Sequence, residues 1–142
     1  YDLKTDRMTG FDFDLDQIVQ FEGETGPYVQ YTYARSMSML RRYGKDIDPA
    51  VDYQLDDDYS WRLIKQLADY QRTVIYAAES YEPSVVAKYA IHLAQAFNRY
   101  YANVRILEED DQLEARVALV KAVIIVLKDA LALLGLEAPE EM

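Results

Sequence analysis

The sequence predicts an all-α fold, an antiparallel bundle of about five to six helices. Three observations lead there. Near the C-terminus Leu113, Val117, Val120, Ile124, Leu127, Leu131 and Leu134 alternate steps of four and three residues, the seam of a helix packed in a bundle. An earlier stripe, Val86, Tyr89, Ala90, Leu93, Phe97, Tyr100, Tyr101 and Val104, has the same spacing. Glycine and proline fall where helices would start or stop, and nothing reads as a strand.

The elements follow in order. Residues 12–20 make a short helix rich in early acids, which suits the positive end of its dipole. A turn, Glu22-Gly23-Glu24-Thr25-Gly26, precedes the next helix. Thr25 or Gly26 starts that helix, with Pro27 in its first turn, where a missing N–H costs nothing. Gly44 stands where a left-handed C-terminal cap belongs. Lys45 to Asp58 is acidic, contains Pro49 and reads as an exposed loop. Asp58 is placed to cap a helix over Tyr59–Tyr70, and a second short helix covers Gln71–Ser80. Glu82-Pro83 opens a helix expected to run to about Leu107. The acidic turn Glu108–Asp111 reads as solvated, and Gly135 ends the last helix.

Composition narrows the function. Of 142 residues 51% are hydrophobic and 28% charged, which is globular. The final apolar stretch holds uncharged residues only from Ala122 to Leu127, far short of the roughly 20 apolar residues a membrane span needs. Absence of cysteine removes disulfides and thiolate metal sites and fits a cytoplasmic chain. Asp12, Asp14 and Asp16 imitate a calcium loop, but Gln17 and Gly23 stand where it needs a glycine and a bidentate acid. Gly23 and Gly26 lack the Gly-Lys-Ser/Thr ending of a phosphate-binding loop. His92, the only histidine, has no nucleophile or second histidine placed beside it by motif. Catalysis therefore finds no support. The chain has no initiating Met and opens at Tyr1, as an excised piece would.

One helix is more informative. Over residues 27–43, Val29, Tyr33, Met37, Leu40 and Tyr43 form the expected core face. Tyr28, Tyr31, Arg35, Met39 and Arg42 cluster on another side within about 80° of arc. Tyrosine rings stack bases and arginine meets phosphates or stacks in turn. The other reading is that this second face packs on a neighbouring helix; periodicity favours neither. A net charge of −10 speaks against nucleic acid. However, Arg35, Arg41, Arg42 and Lys45 cluster on this helix and its exit while acids concentrate in loops, and local field governs docking.

The run Phe21 to Arg35, Phe-Glu-Gly-Glu-Thr-Gly-Pro-Tyr-Val-Gln-Tyr-Thr-Tyr-Ala-Arg, resembles the entry to the anticodon-binding (DALR-type) domain of arginyl-tRNA synthetases. Phe11-Asp-Phe-Asp resembles the segment that follows the catalytic domain in that family. Glu82-Pro83, Lys88-Tyr89 and Leu93-Ala-Gln-Ala-Phe-Asn98 resemble its later helix, and Leu133-Leu-Gly-Leu136 with the terminal Met142 its C-terminal signature. The resemblance implies a junction over residues 1–20 after an absent catalytic domain, then a helical anticodon-binding domain over 21–142. It implies contacts with the anticodon loop of arginine tRNA from Glu22, Gly23, Thr25, Gly26, Tyr28, Tyr31, Arg35, Tyr101, Arg105 and Met142. At Arg105 some members carry an aromatic residue; a guanidinium also stacks on bases. The resemblance further implies that ATP and magnesium serve the catalytic domain and that this segment holds no cofactor. Partners would be arginine tRNA and the chain's own catalytic domain, with neither membrane nor DNA. The alternative, from acidity and tyrosine excess, is a helical protein-interaction module without RNA binding.

Overall fold

A computed structural model describes residues 25–47 and 55–142. The helix expected over 12–20, the junction over 1–20, the candidates Glu22 and Gly23, and the middle of the acidic loop lie outside the described residues. Every regular element among the described residues is helical: α1 (Gly26–Tyr43), α2 (Asp58–Ala68), α3 (Tyr70–Ser80), α4 (Pro83–Asn103) and α5 (Leu113–Leu133). Helix α4 packs against all four others, and α1 also lies against α5. The buried side of α4 therefore forms the middle of the core, with Ala90, Leu93, Ala94, Phe97 and Tyr100 fully enclosed.

Local chemistry sets the helix ends. Pro27 occupies the first turn of α1, and Gly44 closes it in the left-handed region at φ 68°, its N–H donating to the Leu40 carbonyl at 3.1 Å. Helix α2 is capped by Asp57, not by Asp58 as expected. Asp57 is extended and accepts from the Ser60 amide at 2.9 Å and the Ser60 hydroxyl at 2.6 Å. Consecutive acids make either residue a chemically adequate cap; burial of Ser60 and Leu63 fixes the register.

Helix α4 stops at Asn103 rather than near Leu107. Val104 is extended, and the chain turns so that Ile106 enters the core. Arg116 holds this turn. Its buried guanidinium donates to the Ile106 and Glu108 carbonyls at 2.8 and 2.7 Å and to Asp110 at 2.8 Å. The acidic turn is thus not merely solvated: a buried cation organises it. That cation and the Gln112 amide hold the Asp110 carboxyl below its usual range.

On α1 the buried arc is wider than a single stripe. Val29 and Tyr33 are buried as expected, and Met37 and Leu40 pack partly against the core, but Met39 is also buried. The reason is that α1 has two neighbours, α4 and α5. Thr32 and Ser36 are buried too, each hydroxyl donating back to the carbonyl four residues earlier at 2.9 Å.

Candidate nucleic-acid interface

The exposed edge of α1 meets the edge of α4 across a small polar network. Asn98 is its centre. Its Nδ2 donates to the Tyr28 hydroxyl at 2.9 Å and to Thr32 Oγ1 at 2.9 Å. Its Oδ1 accepts from Arg35 at 2.9 Å. Arginine only donates, so the amide has one chemically sensible orientation. Arg35 also donates to the Tyr31 hydroxyl at 3.3 Å.

The guanidinium is held by rings as well. Its central carbon lies 5.0 Å from the Tyr31 ring centroid and 4.4 Å from that of Tyr101. Both distances fall within cation–π range. Tyr101 rests in turn on Phe97 of the core, centroids 6.4 Å apart. A rigid core thus supports Tyr101, Tyr101 supports Arg35, and Asn98 fixes the fork. The tyrosines remain available: Tyr28 is 38%, Tyr31 47% and Tyr101 38% exposed.

Beside this cluster an open groove of about 490 Å³ runs along α1. Tyr31, Arg35 and Tyr101 line one part, Arg41 and Arg42 another, and the C-terminal tail forms the facing wall with Met142 at its lip. The tail is pinned from α1: Gln30 donates to the Glu137 carbonyl at 2.9 Å and Arg41 to the Glu140 carbonyl at 3.2 Å. Leu136 and Ala138 anchor it on the core. Tyr33, beneath, is buried, and burial with the nearby Glu140 raises its hydroxyl above the ordinary tyrosine value.

The structure brings together Tyr28, Tyr31, Arg35, Tyr101 and Met142 of the sequence-derived candidates. Thr25 and Gly26 sit at the start of α1, Thr25 without a side-chain cap and Gly26 buried. Arg105 is exposed beyond the end of α4 and does not line the groove. Asn98 escaped the sequence reading as a site residue, although it stands three residues before Tyr101, the spacing that puts two side chains on one helix face. Among the described residues no three His, Cys, Asp or Glu side chains converge as a metal site, and no helix is long and apolar enough to cross a membrane.

This arrangement offers flat rings, a fixed guanidinium and further cations along an open trough. Such a surface can stack unpaired bases while meeting their phosphates. Comparison with known proteins bears on the point. The family model described as the DALR anticodon binding domain matches residues 29–142. An arginine–tRNA ligase of Enterococcus faecalis is 62% identical over 142 residues, covering 100% of this chain and 25% of that protein. That of Lactiplantibacillus plantarum is 57% identical, with the same 100% and 25% coverage. The chain thus spans about a quarter of the length of these curated relatives. Among solved structures, Thermus thermophilus arginyl-tRNA synthetase superposes with a TM-score of 0.75 at 37% identity, covering 86% of this chain and 22% of that one. A Campylobacter jejuni structure, a putative arginyl-tRNA synthetase, shares the fold at a TM-score of 0.74 and 23% identity, over 81% of this chain and 26% of that one.

Proposed function

Because this chain belongs to the DALR anticodon binding domain family, we propose that it binds the anticodon loop of arginine tRNA as a segment of a cytoplasmic arginine–tRNA ligase. The observation that carries this reading is Arg35 held between the Tyr31 and Tyr101 rings and locked by Asn98 at the edge of the groove. Tyr31 and Tyr101 supply stacking faces worth about 1–3 kcal/mol per base. Arg35 arrives already oriented, so little of its side-chain entropy is lost on binding. Arg41 and Arg42, near the C-terminal end of α1, face the phosphates of the same loop. Tyr28 and Met142 border the seated bases, and the start of α1 at Thr25 and Gly26 approaches from the other end.

Arginine activation, with its ATP and magnesium, belongs in this reading to a separate catalytic domain that this segment serves by positioning the tRNA. Arg105 stands apart from the groove and contributes at most to the loop's margin.

The test is a titration with an arginine anticodon stem-loop at low salt, beside the same stem-loop with its middle anticodon base replaced. Preference for the unchanged loop, lost in Tyr31→Ala, is the expected result. Equal binding of both loops by this chain and by the full-length ligase would refute it. A protein partner that survives nuclease treatment and is lost with Tyr31→Ala would instead favour the protein-interaction module.

A further inference from the structure

A second concavity, of about 390 Å³, opens between α2 and α4. Arg62 and Lys65 project into it from α2, His92 and Arg99 from α4, with Gln66 and Gln95 alongside. Residues three and four apart share a helix face, so Arg62 and Lys65 line the α2 wall, and His92, Gln95 and Arg99 the α4 wall. Asp69 is the one carboxylate that lines it, and Arg72 holds that carboxylate at 2.6 Å. Among the described residues Arg62, Lys65 and Arg99 have no ion-pair partner. In a chain of net charge −10, composition alone does not gather three unneutralised cations in one trough. All three are exposed, so packing does not require them there either. Like charges so placed repel, and an anion entering between them relieves the repulsion.

The lining also says which kind of anion. No tyrosine, phenylalanine or tryptophan lines this trough, in contrast to the first groove; His92 is its only aromatic ring. Its lining is mostly charge and hydrogen-bond donors, which suits phosphate oxygens better than base faces. At 100° per residue, the His92–Gln95–Arg99 side of α4 is centred about 120° from the side that carries Asn98 and Tyr101. The two sites thus lie on different sides of α4.

We propose that this trough binds backbone phosphates of the duplex stem adjoining the anticodon loop. The proposal rests on the anticodon reading above and adds to it a second, sequence-independent contact. Lys65 and Arg99, one from each wall, meet the phosphates; Gln66 and Gln95 are placed to donate to their oxygens.

The test compares Lys65→Gln/Arg99→Gln with Lys121→Gln/Lys128→Gln, a pair of exposed lysines on α5 that changes net charge equally. Each is titrated with the anticodon stem-loop at 50 and 200 mM salt, as this chain and in the full-length ligase. Each lost duplex phosphate contact reduces the slope of log affinity against log salt by about 0.9. The trough variant should therefore have a slope smaller by about 2, and the affinity ratio between the two salt concentrations should fall roughly tenfold. The α5 pair should keep the parent slope. A single-stranded loop heptamer should show no difference between parent and trough variant. Equal slopes for parent and trough variant on the stem-loop would overturn the proposal, as would an equal change on the heptamer. So would unchanged RNA binding with loss of an acidic protein partner. If the anticodon preference fails while the trough variant still flattens the stem-loop slope, the anticodon reading falls and the phosphate site stands.

Discussion

Asn98→Ala removes the centre of the network and leaves the core intact. Asn98 is only partly buried, and the three bonds it forms differ in value. The bond from Arg35 is charge-assisted, but Arg35 keeps two ring contacts, the Tyr31 hydroxyl and access to water. The Tyr28 hydroxyl is exposed and recovers a water partner. Thr32 Oγ1 is buried yet still donates to the Tyr28 carbonyl, so it loses an acceptor role and no donor is orphaned. At about 0.5–1.5 kcal/mol per bond, discounted for exposure, the loss sums to about 1–3 kcal/mol. For a domain of this size that is a fall in Tm of roughly 3–10 °C. Binding suffers separately. Tyr28 and Arg35 must now be ordered by the RNA, at about 0.5–1.5 kcal/mol each, so Kd for the stem-loop should rise roughly 5- to 150-fold. Calorimetry and stem-loop titration on one preparation separate the two effects. The reasoning is refuted if Asn98→Ala melts with the parent and binds within about twofold of it. Asn98→Asp sharpens the test: its carboxylate keeps an acceptor for Arg35 but adds a negative charge beside the phosphates. It should recover only the stability owed to the bond from Arg35, not that of the two bonds the amide donates, and should not recover affinity.

Two further predictions concern the scaffold. Arg116→Met should destabilise by about 2–4 kcal/mol in denaturant titrations, because two loop carbonyls and a carboxylate lose a buried donor. Asp110→Asn should cost much less than Arg116→Met because that end of the pair is solvated; any loss should vanish as pH falls below the usual carboxylate value through the depressed native one. At high pH, burial raises Tyr70, Tyr89 and Tyr100, the last to about 12, from an ordinary value of 10.0. The native state then holds these protons more tightly than the unfolded chain. Their stabilisation is complete below pH 10 and is lost as pH rises through the native values. Tyrosinate absorbance should show these rings ionising together with loss of helical circular dichroism; titration of all thirteen tyrosines near 10 with helices intact would contradict it.

The all-helical class was legible because it rests on periodicity within single helices, and the apolar stripes of α4 and α5 are long enough to fix their buried sides. What the sequence hid depends on pairs distant in the chain. Met39 was assigned to the outer face because a wheel records angle, not how many neighbours a helix will have; with both α4 and α5 against it, α1 buries a wider arc. The end of α4 was placed too late because Val104 continues the apolar spacing, while the force that turns the chain comes from Arg116 on the next helix. The same division runs through the site. Tyr28, Tyr31 and Arg35 share one helix, so one wheel found them. Tyr101 and Met142 came only from resemblance, since nothing local ties them to α1. Asn98 is separated from Arg35 by 63 residues and from Tyr28 by 70, and an asparagine on a half-exposed flank reads as ordinary until both partners are in place. The cations of the second trough were hidden for the same reason: Arg62 and Lys65 look like the solvated side of α2 until α4 sets Arg99 opposite them. Part of a stacking surface, Tyr28 and Tyr31, can thus be written in one helix, whereas the fork that orients an arginine and the trough that concentrates charge exist only between helices. Substitution of Asn98 on α4 should therefore alter binding through Tyr28 and Arg35 of α1 without itself touching a base.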